Sequence, residues 1–198
     1  MAVSPADLFN LIRLSVVDPM QAAAGVAGLP LGRLARWQVV ALVSVLSVLA
    51  MELTERMLPM GGDGVSMVFL LGGPLIAAVS MAVSILGMAL ALLWVGRIIG
   101  GVGRFDTALL LVVWVQVVLF VLQMLQLIAL ILLPPLALLL GFLGFGLAVW
   151  MLVKFVQYLH GFDTWIKAAG VLVFSLIGLA FGLTLILGIA GVAPPAGV

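Results

Sequence analysis

The chain has 198 residues, of which 66% are hydrophobic and only 8% charged, with eight basic and seven acidic side chains and a net charge of +1. A typical globular domain is about 25% charged, so this composition excludes an ordinary soluble fold. The lack of cysteine excludes disulfides and thiolate sites, and a single histidine excludes the usual nitrogen-rich metal site. We therefore expect no cofactor and no metal, and the low net charge argues against a nucleic-acid partner.

Residues 1–36 form the predicted N-terminal cytoplasmic segment, which contains a short amphipathic helix. Ser4 is a candidate N-cap and Asp7 lies in the first helical turn, where a negative charge is favourable. The helix should end at Pro19. Its polar side chains fall on one face, which indicates a helix lying on the membrane surface or, alternatively, one packed on cytoplasmic loops.

Five membrane-spanning helices are predicted next, because a helix of about 20 apolar residues crosses a bilayer core of ~30 Å. The predicted spans cover about 37–58, a stretch within 64–95, 107–132, 136–153 and 165–187. Together they predict an all-α polytopic membrane protein, with a membrane domain at 37–192 and a short tail at 193–198.

Two of these spans contain helix-breaking residues. The second is too long for one perpendicular crossing, and Gly72-Gly73-Pro74 interrupts it, which predicts a tilted or kinked helix with an interfacial extension. Pro134 and Pro135 mark the turn between the third and fourth spans, because proline cannot continue a helix interior.

The basic residues predict the orientation, since cytoplasmic loops carry an excess of lysine and arginine. With a cytoplasmic N-terminus, seven of the eight basic residues fall inside and only Arg56 falls outside. The seven are Arg13, Arg33, Arg36, Arg97, Arg104, Lys154 and Lys167. The predicted topology therefore has the N-terminus in and the C-terminus out.

Two sets of polar side chains lie close to or inside the predicted hydrocarbon region. Glu52 and Arg56 are four residues apart, which favours an interfacial ion pair over a functional intramembrane charge. Gln116, Gln123 and Gln126 form a polar stripe along the third span. The stripe is typical of hydrogen bonding between helices, and the alternative is the lining of a hydrophilic path.

The stretch "KFVQYLHGFDTWIKAAG" (154–170) contains the only histidine of the chain, His160. It has a motif in common with "GRFDTALLLVVW" (103–114): a glycine, then Phe-Asp-Thr, then an apolar helix. Glycine permits a turn and aspartate can cap the next helix, so Gly103 and Gly161 are predicted turn residues and Asp106 and Asp163 predicted caps. We expect His160 to stand outside the bilayer, in the last cytoplasmic turn, where a pH-sensitive partner contact is the functional alternative. Small-residue spacing at Gly96 and Gly100 favours close helix packing.

Three stretches, in this order and with five spans, resemble the Yip family of Ypt/Rab-interacting membrane proteins, in its short bacterial branch. They are "DLFNLIRLSVVDPMQA", "GRIIGGVGRFDTALLL" and "LHGFDTWIKAAGVLVF". The resemblance implies an all-helical five-span domain of the bacterial inner membrane, without enzymatic activity, in which Gly103 and Gly161 are structural loop residues. Eukaryotic members act in trafficking and bind small GTPases through a longer N-terminal region, so we do not expect GTPase binding from residues 1–36.

The sequence leaves three hypotheses for function. The first is a non-enzymatic scaffold or adaptor that acts by contact with lipid, with a membrane-protein partner or with a second copy of the chain. The second is a channel, permease or lipid-moving protein that uses the glutamine stripe. The third is an enzyme acting on lipids through His160, which lacks a nucleophile and base at any recognisable spacing.

Overall fold

The computed structural model describes residues 4–57 and 72–189, and every regular element in these ranges is an α-helix. The seven helices are α1 (Pro5–Val17), α2 (Pro19–Ala27), α3 (Arg33–Met57), α4 (Pro74–Ile98), α5 (Phe105–Leu132), α6 (Pro134–His160) and α7 (Trp165–Ile189). The last five are long and apolar enough to cross a membrane. The predicted class, a polytopic helical membrane protein, is confirmed.

The boundaries of two helices differ from the predicted spans. Helix α4 begins at Pro74, directly after Gly72 and Gly73, whose φ angles are +90° and +96°. Proline is favoured at a helix start because its missing amide needs no partner there, and Pro74 is the first residue of α4. The predicted interfacial extension before Gly72 lies outside the described residues, as does the tail at 193–198.

Helix α6 continues well past the predicted end at residue 153, and its last residue is His160. Lys154 is therefore a helical residue and not part of a loop. Its ammonium group lies 5.0 Å from the centroid of the Trp150 ring, a cation–π contact. The aliphatic stem of lysine packs on apolar surface while its charge reaches a polar neighbour, so one lysine does not end an apolar helix.

Helix α5 is at the centre of the bundle. In its 18-residue apolar stretch, 50% of the residues are buried inside the protein, whereas the corresponding share is 22–33% in the other four spans. It contacts α2, α3, α4 and α6, and α7 packs on α4 and α6. The outer surfaces of the other spans expose large apolar side chains, as expected for helices that face lipid.

The N-terminal helices pack against this bundle. The predicted start of α1 is confirmed, because Ser4 and Asp7 form a capping box, and the predicted break at Pro19 is confirmed as well. Helix α2 was not predicted, yet it contacts α5 and α6, and three of its side chains are fully buried: Ala22, Ala23 and Val26. The indole Nε1–H of Trp114 donates to Ser15 Oγ at 2.8 Å, which joins α1 to α5.

Hydrogen bonds between the ends of different helices show that the bundle has two different ends. Helices α3, α5 and α7 begin, and α4 and α6 end, at the same end. We call it the basic end because it carries Arg33, Arg36, Arg97, Arg104 and Lys167. Glu52 and Arg56 lie near the other end, close to the last residue of α3.

Candidate functional site

His160 lies in the interior of the basic end, where only 2% of its surface is exposed. The backbone N–H of Gly103 lies 3.3 Å from Nδ1, and the carbonyl oxygen of Leu92 lies 3.1 Å from Nε2. An amide can only donate and a carbonyl can only accept, so Nδ1 carries no proton and Nε2 carries one. The arrangement defines a neutral imidazole that connects α6 to α4 and to the loop after it.

Three glycines surround the imidazole, and we call them the glycine cage: Gly96, Gly101 and Gly103. A Cβ atom on Gly96 would lie 2.0 Å from Nε2, one on Gly101 would lie 2.2 Å from Nδ1, and one on Gly103 would lie 2.8 Å from Cε1. Contacts below 3.0 Å are overlaps. The space for the histidine ring therefore exists only because these three residues have no side chain.

The loop from Ile99 to Arg104 is held around the ring by its own hydrogen bonds. Gly100 adopts a φ of +95°, and the amide of Gly101 donates to the carbonyl of Gly96 at 2.8 Å. The guanidinium of Arg97 donates to the carbonyl of Gly103 through Nη2 at 2.9 Å and Nε at 3.3 Å. Arg97 thus fixes the residue whose amide binds His160.

The turn after α6 covers the ring from the other side. Gly161 is the left-handed C-cap of α6, with a φ of +66°, and the amide of Phe162 donates to the carbonyl of Gln157 at 3.0 Å. The side-chain amide of Gln157 donates back to the carbonyl of Phe162 at 3.2 Å. The Phe162 ring then stacks on the imidazole, with the centroids 5.3 Å apart and an angle of 23° between the planes.

His160 was predicted to lie in the last cytoplasmic turn, but it is the last residue of α6 and its side chain is buried. Helix α6 extends to residue 160, and the loop after α4 closes over the ring. Both nitrogens are occupied by backbone groups, so neither one can take a proton from a substrate or bind a metal without breaking a buried hydrogen bond. Among the described residues, no three His, Asp or Glu side chains are grouped closely enough to hold a metal ion.

The predicted cap at Asp106 is wrong, because Arg104 is the N-cap of α5 and its side chain makes no capping hydrogen bond. Asp106 lies in the first turn of α5 and pairs with Arg36, with 2.5 Å between Arg36 Nη1 and Asp106 Oδ1. Asp163 is exposed and precedes the first residue of α7 by two positions. The ion pair of Asp106 therefore joins α5 to α3, a contact that the turn motif alone does not indicate.

The predicted pair of Glu52 and Arg56 is formed within α3, with 2.5 Å between Glu52 Oε1 and Arg56 Nη2. The Arg56 side chain is 73% exposed and the Glu52 side chain 20% exposed. Because the pair lies near the end of α3, far from the basic end, it does not contribute to the histidine site.

The glutamine stripe is divided between two clefts. Gln116 and Gln123 line a cleft of about 150 Å³ against α3 and α4, and Gln123 and Gln126 line one of about 290 Å³ against α6. The three side chains are half-buried. A Cβ on Gly141 would lie 3.2 Å from the amide nitrogen of Gln126, so this glycine of α6 gives the glutamine its room.

The helices define a polytopic α-helical membrane protein. At one end of the bundle, the buried His160 connects α6 to α4 and to the loop after α4. The Yip1 domain family model matches residues 11–186, and the chain belongs to this family. The predicted membership of the Yip family is thereby confirmed. No curated protein and no solved structure matches the chain significantly.

The sequence analysis did not assign four residues to this site: Leu92, Arg97, Gly101 and Gln157. Leu92 and Gly101 act through the backbone or through the lack of a side chain, which leaves no chemical signal. The glycines at 96, 100, 101 and 103 were a signal, because so many in one short stretch indicate close approach of something bulky. Close packing at Gly96 was predicted, but its neighbour is an imidazole from α6.

Proposed function

We propose that this protein is a non-enzymatic membrane scaffold or adaptor that works through the surface of its basic end. The observation that carries the proposal is the engagement of both nitrogens of His160 by the backbone of α4 and its loop. A histidine bound in this way stabilises a fixed arrangement of loops. The arrangement presents a preformed surface, which lowers the entropic cost of binding a partner.

The orientation belongs to the same proposal. The basic end carries most of the basic residues, and the excess of lysine and arginine on cytoplasmic loops favours a cytoplasmic basic end. The family resemblance in the sequence favours the inner membrane of a bacterium. The N-terminus is then inside and the C-terminus outside. The chain has no cysteine, so single cysteines report orientation without background.

Asp163→Cys and Arg56→Cys form a matched pair of probes for orientation. A membrane-impermeant maleimide added to intact cells should label the cysteine at position 56 and leave position 163 unlabelled until the cells are lysed. Labelling of position 163 in intact cells would contradict a cytoplasmic basic end.

Purification from native membranes in mild detergent tests the adaptor role. We expect a reproducible membrane-protein partner, or a second copy of the chain, that is lost when Arg104→Glu and Asp163→Lys change the exposed basic end. Glu52→Gln, near the other end, is the matched control and should keep the partner. A partner that survives the first variant but not the control would contradict the proposal.

A transport role is the second candidate, and the observation that favours it is the position of Gln123 in both clefts. A path along α5 would need the two clefts to join past this side chain. Reconstituted liposomes should show no solute or lipid flux if the adaptor role is correct. Flux that Gln123→Leu abolishes would replace the adaptor role with transport.

An enzymatic role through His160 has no support in the geometry, since a general base needs a free ring nitrogen within reach of a substrate. His160→Ala should lower the stability of the protein. If a catalysed lipid reaction were lost in this variant while the fold stayed intact, the non-enzymatic proposal would be wrong.

A further inference from the structure

A second polar feature of the basic end, separate from the histidine site, is a cleft between the first turns of α3 and α5. Its volume is about 250 Å³, slightly below the ~300 Å³ at which pockets for whole drug-sized molecules begin. The lining side chains are Arg33, Arg36, Trp37, Phe105, Asp106 and Leu109. We propose that this cleft binds the phosphate of an anionic glycerophospholipid headgroup through Arg33 and Arg36.

The charges of the cleft favour an anion. Two guanidinium groups face one carboxylate, and Asp106 is already paired with Arg36. Arg33 is exposed and forms no ion pair with another residue of the described ranges 4–57 and 72–189. One positive charge is therefore left over, on a side chain whose planar donors match phosphate oxygens.

Helix stability does not account for these arginines. Both lie in the first turn of α3, which contains no acidic residue, and a cation is unfavourable near the partial positive charge of a helix N-terminus. Arg36 is also positioned by the fold: its Nε donates to the carbonyl of Leu31 at 3.1 Å while its Nη1 donates to Asp106. The guanidinium is thus oriented before any ligand arrives.

The apolar part of the cleft points to a lipid and not to a soluble anion. Trp37 is 42% exposed, and tryptophan is enriched at the level of the headgroups. Phe105 and Leu109 of α5 line the same cleft, beside the start of the apolar spans. A phospholipid whose phosphate is bound by the arginines would place its acyl chains along this apolar wall. Inorganic phosphate has no acyl chains and cannot make these contacts.

Native mass spectrometry of the full chain tests the proposal, after purification from nanodiscs of equimolar phosphatidylglycerol and phosphatidylcholine. The wild type should retain phosphatidylglycerol preferentially. Arg33→Gln should bind it about fivefold more weakly, the effect expected for one cation near a headgroup surface. Asp106→Asn removes the competing carboxylate and should bind it at least as tightly as the wild type.

Arg13→Gln is the matched control, because Arg13 is an exposed arginine of α1 outside the cleft. The proposal is overturned if Arg33→Gln retains the lipid as well as the wild type, or if Arg13→Gln lowers retention as much as Arg33→Gln. Inorganic phosphate added before the measurement separates the two sources of phosphate. Release of the lipid by phosphate would show a site for soluble anions and would also overturn the proposal.

Discussion

The two turns that share Gly and Phe-Asp-Thr are similar in sequence but hold their helices by different means. Gly161 is needed for its backbone, because the left-handed C-cap of α6 has a φ of +66°. Gly103 has no positive φ and is needed for its missing side chain, because the His160 ring occupies the space. The motif therefore ends helix α6 at Gly161, whereas at Gly103 it makes room for the His160 side chain of α6.

The aspartates differ in the same way. Asp106 lies inside the first turn of α5 and reaches Arg36 of α3, whereas Asp163 lies before α7 and is exposed. The first turn is thus linked to two distant elements, α6 through Gly103 and α3 through Asp106. The second turn is mainly local. A repeated motif predicts a turn, but its long-range contacts depend on which side chains the neighbouring helices supply.

The largest expected effect comes from filling the glycine cage. Gly96→Ala should destabilise the protein by about 3 kcal/mol, the upper part of the range for overpacking, because its Cβ would overlap the imidazole. Thermal unfolding in detergent measures the change. Gly146→Ala is the control, since that helical glycine has open space and alanine there should be neutral or stabilising. The double variant Gly96→Ala/His160→Ala should recover part of the loss, and strictly additive effects would contradict the cage.

The next effect is the loss of the two hydrogen bonds without loss of the ring. His160→Phe keeps an aromatic side chain but leaves the amide of Gly103 without its acceptor, and it removes the side-chain hydrogen bond of the Leu92 carbonyl, which lies inside helix α4. We expect a loss of about 1–3 kcal/mol, the usual cost of a buried polar group left unsatisfied. Unfolding in the same detergent is the measurement. A phenylalanine variant as stable as the wild type would show that only the shape of the ring matters.

The third prediction separates the two glycines of the motif. Gly161→Ala should cost about 1–2 kcal/mol, the penalty for an L-residue in the left-handed region, and Gly161→Asn should cost less. At Gly103 the order should reverse, because asparagine adds more atoms than alanine to a crowded space. The test is the ranking of four melting temperatures. Equal rankings at both positions would remove the distinction between the turns.

A smaller effect is expected at the aspartates. Asp106→Asn weakens a partly exposed ion pair, whose usual value is about 0–1 kcal/mol, and the loss should shrink as salt is added. Asp163→Asn should leave stability unchanged at every salt concentration. A measurable, salt-dependent loss at Asp163 that equals the loss at Asp106 would show that the second turn also has a distant partner.

The smallest effect concerns α1, where an acidic side chain in the first turn does cap the helix. Hydrogen bonds from the Ser4 side chain and backbone lower the pKa of Asp7 below its ordinary 3.8. A lowered folded pKa stabilises the helix above the ordinary value, and the contribution is lost as pH falls through the lowered pKa. Amide exchange in α1, corrected for its intrinsic rate, should show this acid sensitivity. Ser4→Ala should weaken it, and an unchanged profile would contradict the capping box.

Much of the fold follows from the sequence because a bilayer sets the length of a helix and excludes charge. The start of α1, the break at Pro19 and the five spans are all local consequences of composition, proline and capping residues. The predicted end of α6 at residue 153 is too early, because Lys154 continues the helix and its ammonium group reaches the Trp150 ring. The burial of α2 could not be predicted, since small residues such as Ala22 and Ala23 suit both a loop and a tight helix contact.

The candidate site was only partly predictable. Gly103, Gly161, Asp106 and His160 were singled out as rare or repeated residues, but their partners lie far away in the chain: His160 is 57 residues from Gly103 and 68 from Leu92. Both hydrogen-bonding partners of His160 are backbone groups, and these give no signal in the sequence. No pattern in a single sequence distinguishes the carbonyl of Leu92 from those of its neighbours.

The most direct test of this account uses the fact that the chain has one histidine. Protein labelled with ¹⁵N-histidine, purified through a tag without histidine and placed in nanodiscs, should give one pair of imidazole nitrogen signals at neutral pH. We predict the neutral form with the proton on Nε2, an unprotonated Nδ1, and slow exchange of the Nε2 proton with water. A charged imidazolium, a proton on Nδ1, or rapid averaging of the two tautomers would contradict a histidine held between Leu92 and Gly103.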